Sequence, residues 1–143
     1  MVLGPDGASS LALVTDSLSA IGADFVVADL SGVKADQDIW RVFASINGTD
    51  HPGYCGAEGW DALWALDERS RQRPVGLVMT NMDKIHGAAD EAYLVGSVQM
   101  AIERLQYLRV FLTVSDPGFA RNHVADSHGS FCGRMVVFDW SGL

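Results

Sequence analysis

Acidic and aromatic side chains concentrate between residues 51 and 68, in a stretch that reads HPGYCGAEGWDALWALDE. Gly53, Gly56 and Gly59 punctuate its first half and predict a tightly shaped loop. Its second half carries two tryptophans at helical spacing. Residues 42–68 contain no Lys or Arg but five carboxylates, which are Asp50, Glu58, Asp61, Asp67 and Glu68. One sign of charge beside aromatic anchors predicts a surface for a basic partner, although such a loop can also merely connect two helices.

Two other sets of reactive side chains could suggest chemistry. A metal site could be drawn from four residues of the polar tail, namely His123, Asp126, His128 and Cys132. Their spacing fits no established ligand pattern. Asp61 with His51 or His86 could form a hydrolytic pair, and Cys55 could be a nucleophile, but neither has a nucleophile elbow or a glycine-rich phosphate loop to support it. We therefore expect no catalytic residue, no metal and no cofactor, in a protein that is not an enzyme.

The balance of charge narrows the classes of partner. The chain has 143 residues, 48% of them hydrophobic, and a net charge of −8. This balance predicts a cationic partner and argues against direct contact with nucleic acid or an anionic membrane. The first residues lack a secretory signal, and no apolar run reaches bilayer-spanning length. Cys55 and Cys132 are too few for a disulfide framework, so we expect free thiols and a cytoplasmic location.

Apolar runs and helical periodicity alternate along the chain. Buried strands are predicted at residues 25–30, 75–80 and 109–114, with a weaker strand at 11–15 and an edge strand at 134–140. Helices are predicted from Asp36 to Asn47, through the tryptophan segment, and from Asp90 to Leu108. Strands separated by helices predict an α/β fold, with a three-stranded parallel sheet flanked by helices and extended by N- and C-terminal edge strands. We expect one domain over residues 1–143.

The order of these elements, with Tyr54, Gly56 and the run 61–64 (Asp-Ala-Leu-Trp), resembles the barstar family. Members of that family are intracellular inhibitors of secreted ribonucleases. The resemblance covers residues 24–115; segments 1–23 and 116–143 have no counterpart in it. It implies a barstar-like three-layer fold, in which the loop and second helix occlude a nuclease active site.

The resemblance also implies a set of residues that bind the partner. Tyr54 would be an aromatic contact, Gly56 a point of close approach, Asp61 the acidic contact, and Trp64 a core residue. Ala65 stands where the family has its strongest acidic contact, and one extra residue separates Gly56 from Asp61. Glu58 and Glu68 are expected to replace part of the missing charge, and Trp60 to lie in the core or at the interface rim.

These inferences give two expected functions. The first is an immunity protein or antitoxin that occludes the active site of a small basic ribonuclease with its acidic surface. The second is a barstar-like interaction module that binds a non-nuclease partner. The sequence identifies neither the target nor the oligomeric state.

Overall fold

A computed structural model of the protein describes residues 2–5, 8–46, 56–81, 84, 100, 103–114 and 136–137. Within these ranges the chain forms one parallel sheet of five strands, in the order β2-β3-β4-β1-β5. The strands are β1 (Val2–Pro5), β2 (Asp24–Asp29), β3 (Val75–Thr80), β4 (Arg109–Val114) and β5 (Val136–Val137). The expectation of an α/β fold with parallel strands flanked by helices is confirmed.

Strand β3 lies at the centre of the core, and all six of its residues are buried. Leu77 and Met79 pack on one face of the sheet against apolar side chains of the second and third helices, while Val78 packs on the other face with Val14 and Leu18. Full burial of one such side chain contributes about 1.5–3 kcal/mol to stability. A continuous apolar run such as 75–80 predicts a strand covered on both faces, and the structure has it there.

Helix α1 (Ala8–Ala20) covers one face of the sheet. Residues 11–15, predicted to be a strand, lie inside this helix, so that prediction is wrong. Val14 and Leu18 are one turn apart and turn inward together. The hydroxyls of Thr15 and Ser19 donate to the carbonyls of Leu11 and Thr15, at 3.0 and 2.9 Å, so these short polar side chains are satisfied within the helix.

Helices α2 (Asp36–Ser45) and α3 (Gly56–Gln72) cover the opposite face. The carboxylate of Asp38 accepts the backbone N–H groups of Lys34 and Ala35, both at 3.0 Å, which fixes the start of α2. The helix begins after Ala35 and not after a capping Asp36. Helix α3 starts at Gly56, so Gly56 and Gly59 belong to a helix and not to the predicted loop.

The ends of the chain differ from their predicted places in the sheet. The N-terminal strand is β1, and it lies between β4 and β5, not at an edge. The predicted helix 90–108 has ended by Leu105, and Leu105 and Leu108 are buried in the core. Of the C-terminal strand predicted at 134–140, β5 is the described part, and it pairs in parallel with β1. No helix in the described ranges is both long and apolar enough to cross a membrane.

Candidate functional site at the carboxyl edge of the sheet

Polar residues follow one another across the sheet where its strands end. The register pairs Asp29 of β2 with Thr80 of β3, and Gly4 of β1 with Thr113 of β4. Because Met79 pairs with Leu112, Thr80 and Thr113 occupy neighbouring positions on adjacent strands. Both threonines are buried, on the face that α1 covers. We call Gly4, Asp29, Thr80, Asn81 and Thr113 the carboxyl-edge row.

Asp29 is the hydrogen-bonding centre of one end of this row. Its carboxylate accepts the N–H and the hydroxyl of Ser31, both at 2.9 Å, and the side-chain N–H of Asn81 at 2.8 Å. Thr80 donates its hydroxyl to the same carboxylate at 3.4 Å. The Ser31 N–H bond is the largest influence on the pKa of Asp29 and lowers it; burial opposes this, and the side-chain donors reinforce it.

The backbone of Asn81 is held in an uncommon conformation next to Asp29. Its φ is 58°, in the left-handed region that asparagine tolerates better than most residues. The hydrogen bond to Asp29 fixes the side chain while the backbone turns out of β3. The arrangement holds a polar group at the end of a buried strand, where an open parallel sheet presents its ligand site.

The strand order identifies the ligand crevice. From β1 the chain crosses the sheet to β2 on one side, whereas β4 is followed by β5 on the far side of β1. The carboxyl ends of β1 and β4 therefore border the position where the direction of winding changes. Ligands of open α/β sheets bind at such a position. Gly4 and Thr113 are paired there.

The segment between β1 and α1 was not recognised as functional from the sequence. It reads GPDGASSL from Gly4 to Leu11. A strand, a glycine-containing connection and a helix form the arrangement that binds phosphate in P-loop proteins, whose pattern is G-x-x-x-x-G-K-[ST]. If Gly4 is the first glycine of the pattern, Ser9 takes the second glycine's place, Ser10 the lysine's and Leu11 that of the final Ser or Thr, so the first glycine is the one motif position that this segment keeps. The signal in the sequence was the pair Gly4 and Gly7 shortly before Ala8, where α1 begins. It was not recognised because most positions of the motif are replaced.

The residues predicted to bind a partner lie on α3, apart from Tyr54, which is outside the described residues. Glu58, Asp61, Ala65 and Glu68 are exposed, Trp60 is half-buried, and Gly56 is buried. None of them belongs to the carboxyl-edge row. Glu58, Asp61 and Glu68 are all exposed on one helix, so the acidic surface exists.

Trp64 was expected in the core and is 55% exposed, so that expectation is wrong. The helix turns Leu63 and Leu66 inward, and Trp64 lies between them in sequence but on the outer side. Trp60, packed against the core, is the tryptophan that partly fills the predicted role.

The residues considered for a metal site or a hydrolytic pair fall, apart from Asp61, outside the ranges that the structure describes. His51, Cys55, His86, His123, Asp126, His128 and Cys132 lie outside the described residues. Among the residues that are described, no group of three or more His, Cys, Asp or Glu side chains is arranged to hold a metal ion.

The fold of this chain resembles that of solved structures, although its sequence matches no known family. No protein-family model and no curated protein matches the sequence. Solved structures with a similar fold include the Aeropyrum pernix ORC1 protein in complex with DNA (TM-score 0.57, 17% identity), a Walker-type ATPase of Pyrococcus abyssi (0.62, 13%) and Drosophila ORC bound to DNA (0.53, 13%). Each match covers 96% of this chain, and 38%, 47% and 78% of the other chain, respectively. The chain thus spans less than half the length of the first two.

These neighbours overturn the barstar resemblance and the ribonuclease-inhibitor function drawn from it. The immunity-protein and antitoxin roles and the ribonuclease partner are therefore wrong as well, and these neighbours give no specific support to the alternative of a barstar-like interaction module. The order of elements from 24 to 115 misled because it does not include β1. That strand inserts beside β4 and, together with β5, turns a three-stranded arrangement into a five-stranded sheet.

The exclusion of direct nucleic acid contact is also corrected. Several proteins that share the fold were solved with bound DNA. Net charge sums the whole chain, whereas binding depends on local charge. Five of the ten basic residues fall in two short segments, at Arg69, Arg71, Arg73, Arg104 and Arg109.

At these low identities the comparisons establish one thing, which is that the chain has the α/β fold found in ORC1 and Walker-type ATPase structures.

Proposed function

We propose that this chain binds a nucleotide through its phosphates at the carboxyl edge of the sheet and does not hydrolyse it. The observation that carries the proposal is the strand order, because it brings the carboxyl end of β1 to the position where winding changes direction, next to Thr113 of β4 and one strand away from Thr80 of β3. The likeness in fold to a Walker-type ATPase supports the same edge as the ligand site.

The start of α1 supplies donors for an anion. The helix has 13 residues, and its first turn contains no acidic residue. The unpaired N–H groups of a helix N-terminus and its dipole favour phosphate. Dinucleotide-binding folds hold a pyrophosphate in this way with backbone groups and without a lysine. The second and third residues of α1 are Ser9 and Ser10, and both carry a hydroxyl group.

The residues present do not fit the hydrolysis of a magnesium-bound triphosphate. In P-loop ATPases a lysine reaches the β- and γ-phosphates, and an acidic residue after a core strand helps to hold magnesium. Here Ser10 takes the lysine's place, and residues 1–33 include no Lys or Arg. Strand β3 ends in the neutral Thr80 and Asn81, and the carboxylate that the described residues place beside them, that of Asp29, is bonded to Ser31 and Asn81. We therefore expect the chain to bind the nucleotide without cleaving it.

Isothermal titration calorimetry with ADP, ATP and adenosine, each with and without magnesium, tests this function. ADP and ATP should bind, and adenosine should bind less tightly. Magnesium should change neither affinity more than about twofold, since among the described residues the carboxylate of this edge, Asp29, is already bonded to Ser31 and Asn81. Incubation with ATP should release no more phosphate than a protein-free control. Absence of heat with both nucleotides at millimolar concentration, or magnesium-dependent phosphate release, would contradict the proposal.

A gain-of-function variant locates the phosphate site. Ser10→Lys should tighten ATP binding about tenfold, because a lysine at this position adds a charge-assisted contact to phosphate. Ser17→Lys, on an exposed part of the same helix, is the matched control and should leave ATP affinity unchanged. An equal effect of both substitutions would show general charge attraction and no site at the helix start.

A further inference from the structure

We propose that a groove at the amino edge of the sheet binds one unstacked nucleotide of a single-stranded nucleic acid. The groove has a volume of about 340 Å³. Trp64, Glu68 and Arg71 of α3 form one wall, and Arg104, Gln106 and Tyr107, just before β4, form the other. This volume falls within the range of small-ligand sites, about 300–1,000 Å³. The site lies at the opposite edge from the nucleotide site proposed above and does not depend on it.

One carboxylate holds the two walls together. Asp67 accepts the backbone N–H groups of Gln106, Tyr107 and Leu108 at 3.1, 2.8 and 2.7 Å. Three charge-assisted bonds to consecutive backbone groups fix this segment against α3. Asp67 is thereby committed to the protein's own backbone, although it lines the groove. A site prepared in this way loses little conformational entropy when a ligand enters.

Aromatic rings form a continuous series of contacts that ends at the groove, with Trp60 and Trp64 in an edge-to-face arrangement. The ring centroids of Trp40 and Trp60 are 5.3 Å apart, and those of Trp60 and Trp64 are 6.2 Å apart. Trp40 is buried, whereas Trp64 is 55% exposed and Tyr107 is 37% exposed. The inner rings therefore support an outer indole that faces solvent. A nucleobase gains about 1–3 kcal/mol by stacking on an aromatic side chain of this kind.

Arginines lie beside these rings. The guanidinium carbon of Arg71 is 5.5 Å from the centre of the Tyr107 ring, and that of Arg104 is 5.3 Å from the Trp60 ring. Arg71 also forms an ion pair with Glu68 at 3.8 Å, in which both side chains are more than half exposed. Exposed pairs of this length contribute little, so a phosphate, which an arginine can bind through two parallel hydrogen bonds, can replace Glu68.

The combination favours a nucleotide unit over other anions. A double helix would offer its phosphates to the arginines but would keep its bases stacked and away from Trp64. An acidic peptide would likewise satisfy Arg71 and Arg104 without a planar group for the indole. Only an unpaired base attached to a phosphate uses the ring and the guanidinium groups together.

Fluorescence anisotropy of a labelled ten-base oligothymidine, titrated with the full chain, tests the proposal. We expect saturable binding accompanied by quenching of tryptophan fluorescence. If two phosphates are contacted, the slope of log K against log salt should be about −1.4. A duplex of the same length and a polyglutamate chain should bind at least tenfold more weakly.

Two variants and two matched controls assign the binding to the groove. Trp64→Ala and Arg71→Gln should each weaken oligonucleotide binding about tenfold or more. Phe25→Ala replaces another exposed aromatic residue, and Arg41→Gln replaces another arginine in an i,i+3 ion pair, with Asp38 at 3.2 Å. Both controls should bind like the natural chain, and circular dichroism should give all four variants its folded spectrum.

Three results would overturn the proposal. They are the absence of saturable binding at low salt, equal affinity for the duplex or for polyglutamate, and equal losses in the control variants. If Arg71→Gln alone weakened binding, the groove would be a phosphate site without base stacking, and the proposal would also be wrong. ADP affinity at the carboxyl edge should be unchanged in every one of these variants, which keeps the two sites distinguishable.

Discussion

Asp29 links two strand ends through hydrogen bonds that require its ionised form. Because the folded state lowers its pKa, mainly through the Ser31 N–H, the ionised carboxylate contributes stability that is complete above the unfolded pKa of about 4. That contribution is lost as pH falls through the lower folded value. We expect Asp29→Asn to reduce the free energy of unfolding at pH 7, by about 1 kcal/mol because the group is exposed.

Urea unfolding of the natural chain and of Asp29→Asn, followed by circular dichroism from pH 7 down to pH 3, measures this effect. The difference between the two chains should be constant near neutrality and should shrink below about pH 4. Asp16→Asn, on an exposed position of α1, serves as the control. A difference that grew as the solution became more acidic would have the wrong sign.

Asp67 is the side chain on which the segment before β4 depends. Asp67→Ala leaves the N–H groups of Gln106, Tyr107 and Leu108 without their acceptor, so we expect a loss of about 2 kcal/mol in unfolding free energy. The exposed Asp61, on the same helix, provides the matched control. Asp61→Ala should change stability by less than about 0.5 kcal/mol. Chemical denaturation that gave similar losses for both variants would contradict this role for Asp67.

At the scale of elements, Gly59 sets how closely α3 approaches α2. A Cβ atom at this position would lie 2.9 Å from the carbonyl oxygen of Trp40 and 3.0 Å from an atom of its ring. Gly59→Ala should therefore destabilise the protein by about 1–3 kcal/mol, although alanine is the better helix former. Gly32→Ala, where nothing lies within 4 Å, should be close to neutral. Thermal unfolding of the two variants compares them, and a stabilised Gly59→Ala chain would disprove the close contact.

The three strands β2, β3 and β4 could be predicted from the sequence because each is a short apolar run. Strand β3 is covered on both faces as such a run predicts, whereas β2 lies at the edge of the sheet and leaves Phe25 and Val27 exposed. Helix α1 was missed because its residues 11–15 look like a short strand when Leu18, the next inward position, is not counted. The exposure of Trp64 could not be predicted, since a helical pattern gives a period but not which partner each face meets. The candidate ligand edge was missed because β1 is short and the segment after it lacks the second glycine, the lysine and the final Ser or Thr of the phosphate-loop pattern.

The whole molecule has two edges with different chemistry. At the carboxyl edge, the neutral Thr80, Asn81 and Thr113 lie at the strand ends, and Asp29 is bonded to Ser31 and Asn81. At the amino edge, Arg71 lies beside the exposed ring of Tyr107 and Arg104 beside the half-buried ring of Trp60. A sheet of this type can carry both sites because its two edges are built from different connections.

The proposed nucleotide site is tested most directly by two-dimensional NMR of the ¹⁵N-labelled protein during titration with ADP. Binding at the carboxyl edge should shift the amide signals of Gly4, Thr80, Asn81 and Thr113, and leave those of Trp64 and Tyr107 in place. If the carboxyl-edge signals stay fixed at saturating ADP, or if the shifts appear around Trp64 instead, the nucleotide site is not at this edge.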